Sequence, residues 1–483
     1  LKEEEREVRP MARKKKIAKN REHIVIMYFF FILFLAMMAY FVYFMVMKSE
    51  SFISSPYNSL QDLFSERVVR GDIISADGET LATTKVADDG TETRSYPYGR
   101  IFAHAVGYAS NGKTGLENQT NFSLLRTHEF VLKQVLSDLS GNKSQGDNIV
   151  TTLDTEIQKT AYEGLGNYEG AVIAMQPSTG KIVAMVSKPD YDPNTIAEDW
   201  SGLTSGTGSA LVNRATQGRY APGSVFKIAT VLEYYRENTD SYKDYTYDCD
   251  SSITVEGATI HCAGNQSHGN EDLKSSFAHS CNSSFANLSL TLNRSKFSST
   301  CKELLFNQDL PIAFDSTKSS FSLTKKDSSS MAMETGIGQG KTMVSPLHML
   351  LIASAIDNDG VLMTPYLVDR IENPNGITVS ETKQKTYGSL MTEDEAGVLQ
   401  KYMRAVVTEG TGTKLSGQSY EASGKTGTAQ VSDSSDQTNA WFVGYAKKDG
   451  YDDLAVAVIV ENSGAGSTYA VPIAKKIFDV YFN

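Results

Sequence analysis

Cysteine, proline and tryptophan are scarce in this chain, whose 483 residues hold only 4, 12 and 2 of them. So few cysteines exclude a disulfide-held scaffold, and so little proline, with no Gly-x-y period, excludes collagen and proline-rich disorder. No cysteine stands in a Cys-x-x-Cys pair and none of the 7 histidines in His-Glu-x-x-His, so spacing alone predicts no metal site. Positive charge is short as well, at 46 Lys+Arg against 57 Asp+Glu. The net charge of -11 argues against nucleic acid as the main partner, because a phosphate-binding surface needs the opposite sign. Long apolar runs are missing everywhere except near the N-terminus.

That exception is residues 24–47, which contain no charge, Gly or Pro. As a helix the run would be about 36 Å long, enough to cross a hydrocarbon core of about 30 Å with some tilt. It is too long for the apolar core of a signal peptide and reads as an uncleaved anchor. Arg13, Lys14, Lys15, Lys16, Lys19 and Arg21 stand before it. Because Lys and Arg stay inside, residues 1–23 are expected to be a cytoplasmic tail and residues 48–483 to lie outside the cell membrane. Met11 reads as a natural start, with residues 1–10 as an upstream extension. Any function of the outer part must work without assuming ATP.

The length suggests two to four domains. Residues 48–150 read as a β-rich spacer of short strands and turns, among them residues 67–74 followed by Ala76-Asp77-Gly78. A polar stretch at residues 140–147 puts the domain boundary near residue 150. Residues 151–483 form the second domain. Asp154 is placed to cap a helix with Ile157, Ala161 and Leu165 on one face, and residues 171–175 and 182–186 read as a hairpin. Residues 441–446 and 454–460 are β-rich and residues 473–481 helical, so strands at both ends with helices between predict an α+β layered fold. No internal repeat is present.

The strongest local signal is Ala221-Pro222-Gly223-Ser224-Val225-Phe226-Lys227, followed by an apolar run. Pro and Gly make a turn, Ser224 falls at a helix start, and Lys227 lies nearly one turn further on the same face. A serine hydroxyl is a poor nucleophile until a base takes its proton, and a lysine held neutral can be that base. The bare Ser-x-x-Lys spacing also occurs at Ser140, Ser299 and Ser322, so its company decides. Ser224 is followed by Ser280-Cys281-Asn282, which offers a hydroxyl to relay a proton and an amide to hold a substrate amide. Later comes Lys425-Thr426-Gly427-Thr428, a cation beside hydroxyls that suits a carboxylate. Three such elements in this order are the signature of penicillin-binding proteins and class A β-lactamases.

The chain resembles the class B penicillin-binding proteins from about residue 66 to its end. Arg70-Gly71-Asp72-Ile73, Asp77-Gly78, Leu81-Ala82, Gly107-Tyr108 and Gly115-Leu116-Glu117 are similar to motifs of that family's non-catalytic pedestal. Gly336-Ile337-Gly338-Gln339-Gly340, Ser345-Pro346 and Ala440-Trp441-Phe442-Val443-Gly444 are similar to stretches of its catalytic domain. The resemblance implies the penicillin-binding fold, an antiparallel sheet flanked by helices, and D,D-transpeptidation of peptidoglycan stem peptides ending in D-Ala-D-Ala. By the same token Ser224 would be the nucleophile, Lys227 its base and Ser280 a proton relay. Asn282 would orient the peptide amide, while Lys425, Thr426, Gly427 and Thr428 would bind the donor. The N–H groups of Ser224 and Thr428 would form the oxyanion hole, and β-lactams would acylate the same serine. No cofactor is implied. Only 22 residues separate Met47 from Arg70, too few for a glycosyltransferase domain, so a SEDS-type glycan polymerase is the implied partner.

Two other readings compete. A membrane-anchored β-lactamase would share the motifs but hydrolyse its acyl-enzyme quickly. A third reading is a β-lactam sensor, which would need an output module for which residues 1–23 are too short, or a catalytically silent scaffold, which would take no penicillin label. Residues 107–114 also satisfy the P-loop pattern, although Gly115 suits a turn better than a phosphate-cradling helix. Among the cysteines, Cys249 and Cys262 could be disulfide-bonded or free, Cys281 reads as a small apolar side chain, and His268 and His279 read as structural.

Overall fold

The computed structural model describes residues 4–47, 66–129, 142–205, 208–431 and 437–483. The chain divides into two units, residues 1–61 and 62–483. The first contains α1 (Glu4–Met47), whose stretch Arg21–Met45 is long and apolar enough to cross a membrane.

In the second unit β1 (Ile73–Ile74), β2 (Thr80–Val86), β3 (Glu92–Ser95) and β4 (Asn148–Thr151) build the pedestal. Asp154 caps α2 (Thr155–Leu165) by accepting from the N–H groups of Glu156 and Ile157, and Ile157, Ala161 and Leu165 are buried as the spacing predicts. Then come β5 (Gly170–Met175) and β6 (Ile182–Lys188), the expected antiparallel hairpin. The central region holds α3 (Lys227–Glu237), α4 (Leu273–Ala278), α5 (Asn282–Thr291) and α6 (Pro346–Asp357). After β7 (Val368–Glu372), β8 (Thr378–Glu381) and α7 (Glu393–Thr408), the chain ends in β9 (Glu421–Gln430), β10 (Thr438–Lys447), β11 (Leu454–Val460) and α8 (Gly466–Tyr481).

The main sheet has the order β9-β10-β11-β5-β6 and is antiparallel throughout. Its inner strands are buried on both faces, which is why they read as unbroken apolar runs. Val172, Ala174, Val456 and Val458 pack on one side with Ile157 and Ala161 of α2 and Ile473, Ile477 and Phe478 of α8. Ile173, Met175, Ala457 and Ile459 pack on the other with Leu347, Leu350 and Leu351 of α6. The strand β9 lies at the edge of this sheet, so among the described residues one side of its backbone has no neighbouring strand.

One expectation needs correction. Residues 99–124 are not strands but short helical turns at Gly99–Phe102, Ala103–Val106, Gly115–Gln119 and Asn121–Leu124, each too brief to display a helical period. The boundary read at residue 150 falls inside β4, and the pedestal sheet, β8-β7-β4-β1-β2-β3, draws two strands from residues 368–381. Within the pedestal the two motifs noted in sequence meet. Arg70 donates to Glu117 at 2.6 Å and Arg94 donates to its other oxygen at 2.7 Å, all three being buried or nearly so. Burial alone would raise the Glu117 carboxyl, but the two guanidinium groups outweigh it and hold it below its ordinary range.

Candidate active site

Ser224 sits in a single 3-10 turn, Gly223–Phe226, rather than in the first turn of an α-helix, and Lys227 opens α3. The turn is pressed against the edge of the main sheet. Gly223 has φ +54°, and a Cβ there would lie 2.9 Å from the Thr428 carbonyl oxygen and 3.0 Å from the Ala429 side chain, so only glycine fits without strain. The Gly223 N–H donates to the Gly338 carbonyl at 2.8 Å, and the Trp441 indole N–H donates to the Ala221 carbonyl at 3.1 Å. The Gly336–Gly340 and Trp441 stretches thus serve as the walls that aim the serine.

The second motif arrives at a helix end. After α4 the chain turns with Ser280 at φ +58°, a left-handed conformation that costs an ordinary residue about 1–2 kcal/mol, and Cys281 then caps α5. The Ser280 and Cys281 N–H groups donate back to the carbonyls of Phe277 and Ser276. This turn faces Lys227. The Lys227 amine donates to the Ser280 carbonyl at 2.8 Å and to Asn282 Oδ1 at 2.8 Å, and lies 3.3 Å from Ser280 Oγ. It also stands 5.1 Å from the centre of the Phe285 ring.

Lys227 is fully buried, and burial lowers its pKa to about 7. At neutral pH a large share of the amine is therefore uncharged. A neutral amine has two N–H groups and one lone pair, and the two acceptors at 2.8 Å occupy the N–H groups. The lone pair is left for a hydroxyl. Among the described residues, Ser224 Oγ makes no hydrogen bond to Lys227, and Ser280 Oγ is the hydroxyl within reach. Ser224 itself is half-buried, open enough for a substrate to reach.

The third motif lies along β9. Thr428 is exposed, Thr426 is buried and bonded to the Thr411 hydroxyl, and Gly427 lies against the Pro222 carbonyl and Val225. Lys425 is fully buried, donating to the Thr426 carbonyl at 3.0 Å and lying 5.4 Å from the Phe277 ring centre. Burial, reinforced by the nearby Lys227, pushes its ammonium well below the usual range. Lys425 thus lies beneath the surface, and the exposed Thr428 offers the surface hydroxyl. Asn282 is committed at both ends, accepting from Lys227 and donating to the His261 carbonyl at 3.0 Å, which leaves one amide N–H for a substrate.

The structure therefore packs the Ser224–Lys227 turn against the Ser280–Asn282 turn and against residues 427–429 of β9, with Lys425 near Lys227. A family profile for the penicillin binding protein transpeptidase domain matches residues 170–479, and one for the penicillin binding protein A dimerisation domain matches residues 70–149. The chain belongs to the class B penicillin-binding proteins. It is 30% identical over 464 residues to the peptidoglycan D,D-transpeptidase PbpA of Mycolicibacterium smegmatis, covering 89% of this chain and 92% of that one. Penicillin-binding protein A of M. tuberculosis, solved as a ceftriaxone acyl-enzyme complex, superposes with a TM-score of 0.79 at 26% identity over 88% of this chain and all of that one. The D,D-transpeptidase domain of a peptidoglycan glycosyltransferase from Eggerthella lenta gives 0.76 at 27% identity, over 86% and 98%.

Sequence reading missed several features around this penicillin-binding cleft. Thr411, the partner of Thr426, stands in a Gly-Thr-Gly stretch with no distinguishing signal. The P-loop match at residues 107–114 is closed by the chain itself, since the Thr114 N–H donates to the Tyr108 carbonyl and a Cβ on Gly107 would fall 2.0 Å from the Thr114 oxygen. Cys249 and Cys262 are not disulfide-bonded, their sulfurs being 3.7 Å apart, and they join Cys281 and His268 in a cluster that no short motif announced.

Proposed function

We propose that this chain is a serine D,D-transpeptidase that cross-links peptidoglycan stem peptides through an acyl-enzyme on Ser224. The observation that carries the reading is the buried Lys227 amine, near-neutral at physiological pH and bonded into the Ser280–Asn282 turn. Lys227 accepts the Ser224 proton, directly once substrate closes the cleft or by way of Ser280 Oγ. Ser224 Oγ attacks the carbonyl between the two terminal D-alanines, and Ser280 passes the proton to the departing amine. The donor strand aligns along the edge of β9, where backbone pairing holds it and the exposed Thr428 hydroxyl meets its carboxylate. The N–H groups of Ser224 and Thr428 stabilise the oxyanion, an interaction for which one lost donor can cost about 10²–10³ in rate. An acceptor amine then resolves the ester. β-Lactams acylate the same serine. A separate SEDS-type polymerase supplies the glycan strands.

A donor peptide ending in D-Ala-D-Ala, incubated with the detergent-purified chain and an amine acceptor, should release D-alanine and form the cross-linked product, and Ser224→Ala should abolish both. Rapid hydrolysis of a chromogenic cephalosporin would favour a β-lactamase instead. We infer from the basic residues 13–21, which precede the apolar stretch, that the catalytic unit works outside the cell membrane. A membrane-impermeant fluorescent penicillin should accordingly label intact cells, and labelling only after lysis would reverse that topology.

A further inference from the structure

The cluster beside the second motif is unused by this chemistry. We propose that Cys249, Cys262, His268 and Cys281 bind one zinc ion that fixes the turn carrying Ser280 and Asn282. One ligand atom from each of the four residues lies within 4.8 Å of every other. The sulfurs of Cys249 and Cys262 are 3.7 Å apart, those of Cys262 and Cys281 3.8 Å, and Cys249 Sγ is 3.4 Å from His268 Nδ1. A tetrahedron with zinc–sulfur bonds of about 2.3 Å and a zinc–nitrogen bond of about 2.0–2.1 Å has S···S edges of about 3.8 Å and S···N edges of about 3.5 Å. A disulfide, at about 2.05 Å, would join only two of the three sulfurs and leave the third and the imidazole unexplained.

The surroundings suit thiolates. All three cysteines are buried. The Ser283 hydroxyl donates to Cys249 Sγ at 3.1 Å, the Ser283 N–H to Cys262 Sγ at 3.5 Å, and the Ser284 N–H to Cys281 Sγ at 3.4 Å. Cys281 also caps the ten-residue α5, whose positive end favours a negative sulfur. Three thiolates and one neutral imidazole match the soft, four-coordinate preference of zinc and form a closed set, which marks a structural rather than a catalytic site.

The local fold explains what such an ion would do. The strand Thr246–Cys249 ends at one ligand, and the hairpin formed by Ser252–Val255 and Ala258–His261 leads directly into Cys262. His268 then precedes the returning strand Gly269–Asp272, which pairs with Thr246–Cys249. The hairpin carries only exposed and half-exposed side chains, and a two-stranded ribbon without a core is marginal by itself. Zinc at its base would tie both ends of this excursion to Cys281. That residue lies between the two positions that hold the Lys227 amine, and Asn282 also bonds the His261 carbonyl next to Cys262. The left-handed Ser280 would thereby be held from the adjacent residue.

The test uses the full chain in detergent, purified with zinc in the growth medium. Elemental analysis should find about one zinc per chain, falling close to zero in Cys249→Ser and His268→Gln. Cobalt-exchanged wild type should show tetrahedral d–d bands and thiolate-to-cobalt charge transfer, which reports the site without relying on any variant folding. Removing zinc with a chelator should slow penicillin acylation about tenfold or more, the scale seen when groups orienting a site are lost, with recovery on Zn²⁺ but not Mg²⁺. A chain that holds no zinc as purified and takes up none under reducing conditions overturns the proposal. So does an intact mass revealing a cysteine disulfide in protein isolated without reductant. Acylation unaltered by zinc removal overturns the positioning role. Metal content is read without substrate, so this result is independent of the reading of Ser224.

Discussion

At the scale of residues, the account turns on the ionisation of Lys227. As a base it must be neutral, and burial sets its pKa at about 7. The second-order rate of acylation by penicillin should therefore rise with pH through about 7 and fall about tenfold per unit below it, as the protonated amine loses its lone pair. A rate that stays flat from about pH 5.5 to 8 would remove Lys227 from that role. Ser224 and Lys227 were legible in sequence because a Pro-Gly turn before a Ser-x-x-Lys fixes their spacing locally, and two further motifs in a fixed order removed the look-alikes. Burial of Lys425 was not legible, since a strand residue shows its neighbours in sequence but not the helix packed on it. The cysteine cluster was hidden for a related reason, because its ligands stand at positions 249, 262, 268 and 281, on segments that only tertiary folding joins.

At the scale of elements, the pedestal depends on the Arg70–Glu117–Arg94 group. Glu117 is held below its ordinary carboxylate range, so its contribution is present at neutral pH and is lost as pH falls through the folded-state value. Replacing it by Gln leaves two guanidinium groups buried without a countercharge. Glu117→Gln should destabilise the fold by about 3–5 kcal/mol in denaturant unfolding, and a loss under about 1 kcal/mol would show the group to be dispensable. The strands and long helices were readable because each shows either a continuous apolar run or a four-residue period. The helical turns of residues 99–124 were misread because none exceeds five residues, less than two turns of helix.

At the scale of the molecule, an apolar helix long enough to span a membrane precedes a unit in which two sheets share the chain from residue 73 to residue 460. The order of domains followed from composition, but the completion of the pedestal sheet by residues 368–381 did not, because pairing across more than two hundred residues leaves no local trace. The central claim is that three segments far apart in sequence meet to make one acylating serine. Peptide mass mapping of the purified chain after a brief exposure to penicillin tests it most directly. The account predicts a single penicilloyl adduct on the peptide containing Ser224, absent in Ser224→Ala, whereas an adduct at another residue, or none, would contradict it.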